Sequence, residues 1–190
     1  MGKSGRDFFS KYNKIINILI NISKVFPRSF NKYLFKVSAN FDSKLGALIR
    51  FILCSVLAKD CGTNVYIAPR VFIYHIENLS IGSNVSIHPM CYLDAEGDIR
   101  IGNNVSIAHS TSILSSNHTW DDQDLPIKYN PMKQEKVLIE DDVWIGCGVR
   151  VLSGVNIGSR SIIAAGAIVT KNTPSNVIVA GSPAKKIKDI

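Results

Sequence analysis

Four histidines stand in the 190-residue sequence, at positions 75, 88, 109 and 118. Imidazole is the side chain best suited to move a proton near neutral pH. His118 opens a distinctive stretch: Trp120, Asp121, Asp122 and Asp124 follow it, and residues 132–136 close it. Residues 117–137 interrupt an otherwise regular sequence, and a loop longer than about 12–15 residues in a compact domain is usually functional or disordered. His118 is therefore a candidate general base, with Asp94, Glu96, Asp121 or Asp122 as acids able to orient it. His75 and His109 read as exposed corner residues. Cys54, Cys61, Cys91 and Cys147 form no CxxC pair, which argues against a zinc ribbon or a disulfide framework and for reduced thiols in the cytoplasm.

The elements that must position His118 follow from a repeat. Aliphatic residues recur every sixth position: Cys61, Ile67, Ile73; Ile81, Ile87, Leu93; Ile101, Ile107, Ile113; Ile139, Ile145, Val151; Ile157, Ile163, Val169. These fifteen hexads fall into five groups of three, and every insertion follows the third hexad of a group. A strand alternates with period two, so a period of six requires the chain to turn a corner every six residues. Three such faces close a triangular coil, and the pattern predicts a mainly β protein, a parallel β-helix of about five coils. Val65, Val71, Val85, Val105, Val143, Val149 and Val155 complete the interior. Gly82, Gly102, Gly146 and Gly158 sit where a side chain crowds a turn. Asn64, Asn84 and Asn104 mark corners that tolerate left-handed backbone angles.

Charge divides the chain differently. Residues 1–60 hold eleven Lys/Arg against three Asp, a net +8, whereas residues 61–190 hold eleven Lys/Arg against twelve Asp/Glu, a net −1. The basic excess comes with no recognised nucleic-acid motif, so no nucleic-acid partner is expected. It is interleaved with Phe8, Phe9, Tyr12, Ile15, Ile16, Leu19, Ile22 and Phe26. This reads as a helical segment, residues 1–60, broken at Pro27 and at residues 40–43. It either caps the open end of the β-helix or lies on an anionic membrane surface. No apolar run reaches the 18 residues of a spanning helix.

The repeats in residues 61–190 come with specific motifs: Ser115-Ser116-Asn117-His118-Thr119-Trp120, Ile139-Glu140-Asp141-Asp142-Val143-Trp144-Ile145-Gly146, Ile163-Ala164-Ala165-Gly166-Ala167-Ile168-Val169-Thr170-Lys171 and Ala180-Gly181-Ser182-Pro183-Ala184-Lys185. In combination they resemble the hexapeptide-repeat acyltransferases, in the branch of galactoside and maltose acetyltransferases and the O-acetyltransferases of bacterial surface polysaccharides. The resemblance implies a left-handed coil and a homotrimer with its active site between subunits. It implies transfer of an acetyl group from acetyl-CoA to a sugar or glycan hydroxyl, with His118 as general base. Trp144, Cys147, Ala165, Thr170, Lys171, Lys185 and Lys188 align with coenzyme A contacts. The last two replace arginines of the galactoside enzyme, keeping charge but losing the bidentate fork. His88 stands where the sugar enzymes carry an acceptor-contacting Asn, and with Asp94 it is an expected substrate contact. Zinc enzymes on the same fold, the γ-class carbonic anhydrases, pair two His with four residues between them. No HxxxxH occurs here, so no metal is expected. Two other readings stand beside this one: N-acetylation of a nucleotide-linked amino sugar, and a non-catalytic repeat scaffold.

Overall fold

The computed structural model describes residues 5–190, with side chains from residue 12 onward, so Phe8 and Phe9 fall outside the described side chains. From Asp60 the chain winds as a three-sided parallel β-helix. The first face stacks Asp60–Cys61, Leu79–Ile81, Ile99–Ile101, Val137–Ile139 and Asn156–Ile157. The second stacks Tyr66–Ile67, Ser86–Ile87, Ser106–Ile107, Trp144–Ile145, Ile162–Ile163 and Val177–Ala180. The third stacks Phe72–Tyr74, Tyr92–Asp94, Ser112–Leu114, Arg150–Val151 and Ile168–Val169. Register follows the hexads: on the second face Ile67, Ile87, Ile107, Ile145 and Ile163 lie in one inward column. That column and the valines of the fifth hexad position are buried, which makes the interior a continuous aliphatic stack.

The corners obey the chemistry of their residues. Asn64, Asn84 and Asn104 have φ of 55°, 59° and 57°. The amides hand hydrogen bonds along the edge, Asn64 Nδ2 to Asn84 Oδ1 at 2.9 Å and Asn84 Nδ2 to Asn104 Oδ1 at 3.1 Å. A short polar side chain both tolerates the left-handed angle and satisfies itself on its neighbour. Gly102 is required for a different reason: a Cβ there would lie 2.8 Å from the carbonyl carbon of Glu140 in the next coil.

Five coils are expected from the hexads, and the structure adds part of a sixth. Thr173 bridges Ile157 on the first face, and Val179 stacks on Ile163 on the second. The six-residue interval is lost over residues 170–176, yet strand alternation still buries Val177 and Val179. Lys185–Asp189 then turns back antiparallel and covers the edge of that last strand.

At the other end three helices cover the first coil: α1 (Gly5–Val25), α2 (Arg28–Ser38) and α3 (Lys44–Leu57). Pro27 separates the first two, and Ser43 caps α3 by accepting from the Gly46 amide at 3.0 Å. The apolar face of α3, including Phe51, Leu53 and Leu57, is buried. Among these residues sits Arg50, only 1% exposed. Its guanidinium donates to the carbonyls of Ile67 (2.7 Å), Ser38 (2.6 Å) and Phe41 (3.0 Å). Ile67 belongs to the outermost strand of its face, so Arg50 supplies a donor where no further strand exists. Burial lowers the Arg50 pKa from the ordinary arginine value, and the charges of Tyr66 and Asp42 oppose that shift. Arg50→Leu removes the donor and strands three carbonyls. At about 1–3 kcal/mol for each buried carbonyl left unpaired, the expected loss is on the order of 3–9 kcal/mol, read as a lower urea midpoint. A midpoint within error of the parent refutes the capping role.

Candidate active site

The long insertion leaves the β-helix at the edge between the third and first faces and forms an arm. Ser116–His118 pairs antiparallel with Met132–Gln134, with His118 opposite Met132. The base of the arm is pinned to the preceding coil. Ser115 Oγ donates to the Asp94 carbonyl and accepts from the Gly97 amide, both at 2.8 Å. Gln134 Nε2 donates to Glu96 Oε1 at 3.2 Å. The tip is ordered by buried Asn130, whose side chain accepts from the Asp122 amide and donates to the Asp122 and Leu125 carbonyls. Trp120, Ile127 and Tyr129 remain about two-thirds exposed on this tip. His118 is exposed and makes no side-chain hydrogen bond among the described residues, and no acid among them orients it.

Register defines what shares the edge with the arm. Tyr74, Asp94 and Leu114 are consecutive partners, and the positions after Val151 and Val169 continue the column as Leu152 and Thr170. Asp94 thus lies one rung from the arm on the helix-capped side, while Thr170 and Lys171 lie two rungs away on the other. Asp94 Oδ1 accepts from His75 Nδ1 at 2.8 Å. His75 is at an exposed corner, φ 52°, as the sequence suggested, and it is also the partner of an expected substrate contact. Tyr74 and Tyr92 stand beside this pair with ring centroids 5.3 Å apart. Burial, then the charge of Asp94 and the neighbouring Tyr74, raises the Tyr92 phenol above its ordinary range.

A second constellation occupies the edge between the second and third faces. One step beyond Ile87, Ile107, Ile145 and Ile163 lie His88, Ala108, Gly146 and Ala164, followed by Ala180 and its antiparallel partner Lys185. The column spans about 24 Å at about 4.8 Å per rung. Small residues along its middle leave a shallow floor with His88 at one end and Lys185 at the other. Gly146 is obligatory here, since a Cβ would lie 2.6 Å from the Ala165 nitrogen. Cys147 and Ala165 flank the floor, with the Cys147 carbonyl accepting from the Gly166 amide at 2.8 Å. Trp144, 55% exposed, stands on the second face, and Ile162, Ile178 and Lys188 continue its row.

Relatives decide what this arrangement belongs to. A model of the bacterial transferase hexapeptide (six repeats) matches residues 136–171. A galactoside acetyltransferase solved in complex with coenzyme A is 31% identical, with 86% of this chain and 80% of that one covered at a TM-score of 0.76. The chain belongs to the hexapeptide-repeat acetyltransferase family. A second member, a hexapeptide-repeat acetyltransferase of Vibrio cholerae complexed with acetyl coenzyme A, superposes at a TM-score of 0.75 with 26% identity, covering 85% of this chain and 86% of that one. Among curated sequences, the 2,3,4,5-tetrahydropyridine-2,6-dicarboxylate N-acetyltransferase of Staphylococcus aureus is 52% identical over 58 residues, or 30% of this chain. The match spans only about a quarter of that relative's length (24%).

In this family member the expected site residues therefore fall into two sets on different edges of one copy. Asp94, His118, Thr170 and Lys171 share the arm's edge, whereas His88, Cys147, Ala165 and Lys185, with Trp144 and Lys188 on the adjoining face, share the other. Two features escaped the sequence reading. Arg160 joins Trp144, Ile162 and Ile190 around a depression of about 330 Å³. His75 pairs with Asp94, which the twenty-residue interval between Tyr74 and Asp94 foreshadows. A larger depression, about 830 Å³, lies along the first face between charges of both signs, Lys59, Asp98, Arg100 and Glu140 among them. It contains none of the expected site residues. Among the described residues no cluster of His, Cys, Asp and Glu has the makings of a metal site, and no helix is long and apolar enough to cross a membrane.

Proposed function

We propose that this protein transfers an acetyl group from acetyl-CoA to a sugar hydroxyl, with His118 taking the hydroxyl proton. The arrangement that carries this reading is an unencumbered imidazole on a braced arm, one rung from a carboxylate that a pair of exposed tyrosines adjoins. Tyrosine rings offer faces to the C–H side of a sugar, and Asp94, His75 and the Tyr92 hydroxyl offer polar partners to its hydroxyls. An alcohol is a poor nucleophile at neutral pH, so a base within reach of the attacking oxygen is needed. As that oxygen bonds to the thioester carbonyl carbon, His118 accepts its proton. When the carbon–sulfur bond breaks, the imidazolium returns a proton to the departing thiolate.

The small-residue floor between His88 and Lys185 suits a long, thin thioester whose phosphates meet Lys185, Lys188 and Arg160. Because this floor and the arm occupy different edges, the reading places the reaction between two copies of the chain, in a closed ring for which three-sided prisms are suited. The exposed Trp120, Ile127 and Tyr129 of the arm tip fit contact with the adjoining copy. The curated N-acetyltransferase relative keeps amino acceptors as the second reading.

Thiol release from acetyl-CoA, measured against a panel of neutral sugars, amino sugars and nucleotide-linked amino sugars, separates the two. The expected result is turnover with hydroxyl acceptors that persists when the amino group is absent. Turnover confined to amino acceptors favours the second reading, and failure to bind CoA by calorimetry removes both.

A further inference from the structure

The helical cap carries more apolar surface than its own fold uses. Along α1, Tyr12, Ile16, Leu19 and Ile20 turn toward the core. A second stripe at the spacing of one helix face, Ile15, Ile18, Ile22 and Val25, points outward at 55%, 58%, 51% and 84% exposure. The remaining face is polar, with Asn17 Nδ2 donating to Asn13 Oδ1. The outward surface continues past Pro27, where Phe26 contacts Phe30 and Tyr33 is exposed on α2. Four aliphatic side chains in a row and three aromatics together form a contiguous kind of surface that marks an interaction site.

Charge identifies the occupant. Residues 12–41 contain Lys14, Lys24, Arg28, Lys32 and Lys36 and not one Asp or Glu. Lys32 pairs with Glu77, and Arg28 donates to the Leu57 carbonyl. Lys14, Lys24 and Lys36 are exposed and have no ion-pair partner among the described residues. A seam between two copies would bring these like charges together without compensation. An anionic bilayer instead neutralises them while taking up the isoleucines and aromatics. We propose that the outer face of α1 and α2 docks on the surface of an anionic membrane, lying in the interface without crossing it.

The docking rests on the helices alone. One consequence rests on the function proposed above: Asp94 and Tyr74 lie one and two rungs from the arm toward the cap, so the acceptor side of His118 faces the membrane. The acceptor class is then a sugar carried on a lipid.

Cosedimentation of the full chain with phosphatidylcholine vesicles, with and without phosphatidylglycerol, tests the docking. Binding is expected to require phosphatidylglycerol and to weaken as salt rises. Ile18→Asp/Ile22→Asp and, independently, Lys24→Glu/Lys36→Glu should each weaken it on the order of tenfold or more, with unchanged turnover of a soluble acceptor. Equal binding to neutral vesicles, no binding to anionic ones, or undiminished binding by both variants overturns the proposal. So does loss of the oligomer in the isoleucine variant with vesicle binding intact, which assigns the face to a second copy. Vesicle binding is read without turnover, so an inactive enzyme leaves this result standing.

Discussion

His118→Ala is expected to lower kcat by about a thousandfold, the middle of the range for removing a general base, while leaving the KM for acetyl-CoA near the parent value. The proposed base sits on the arm's edge and the proposed thioester floor on another, so its removal should strip a proton acceptor and leave thioester binding intact. His118 is exposed and has no side-chain hydrogen bond among the described residues, so the melting temperature should not move. His75→Ala is the necessary companion. His75 has what His118 lacks in one copy, a carboxylate at 2.8 Å, which is how a catalytic imidazole is commonly held. If His75 serves only to set Asp94 toward the acceptor, its removal raises the KM for the sugar and costs kcat less than tenfold. Should His75→Ala collapse kcat while His118→Ala does not, the base assignment passes to the His75–Asp94 pair.

Much of this architecture is legible in the residues because a β-helix writes its geometry into sequence. Each coil must place one apolar side chain per face, so the positions of Ile81, Ile87 and Leu93 predict their own columns. Insertions after the third hexad predict one decorated edge, and the arm, the short turn at Ile76–Asn78 and residues 95–98 all fall there. What escaped was set by partners distant in sequence. Val179 joins the second face through strand alternation after the six-residue interval has been lost. Arg50 reads as a blemish in an apolar helix until the exposed carbonyl of Ile67 is seen beneath it. The division of the candidate site between two edges was within reach, since Thr170 follows a third-face strand and Cys147 follows a second-face strand. It became visible only once the register linked Asp94 to Leu114 and Ala108 to Gly146.

That division gives the second large expected effect. His118→Ala should be inactive for want of a base, and Ala165→Glu should be inactive because a carboxylate stands beside the floor assigned to a polyanionic thioester. Neither copy is repaired alone. Coexpressed with different tags and purified through both, the two variants form mixed rings. In a three-membered ring each junction joins the arm's edge of one copy to the small-residue edge of the next. Whether the mixed ring holds two copies of one variant or of the other, one junction pairs an intact His118 with an intact Ala165, so about one third of parental activity should return. Sedimentation should report three chain masses for parent and mixture alike. Mixed rings as inactive as either variant would place both halves of the site in a single copy. The Tyr74–Asp94 edge and the Gly146 edge would then have to serve one ligand across a whole face of the prism. Restored activity, by contrast, makes the ring itself the catalytic unit.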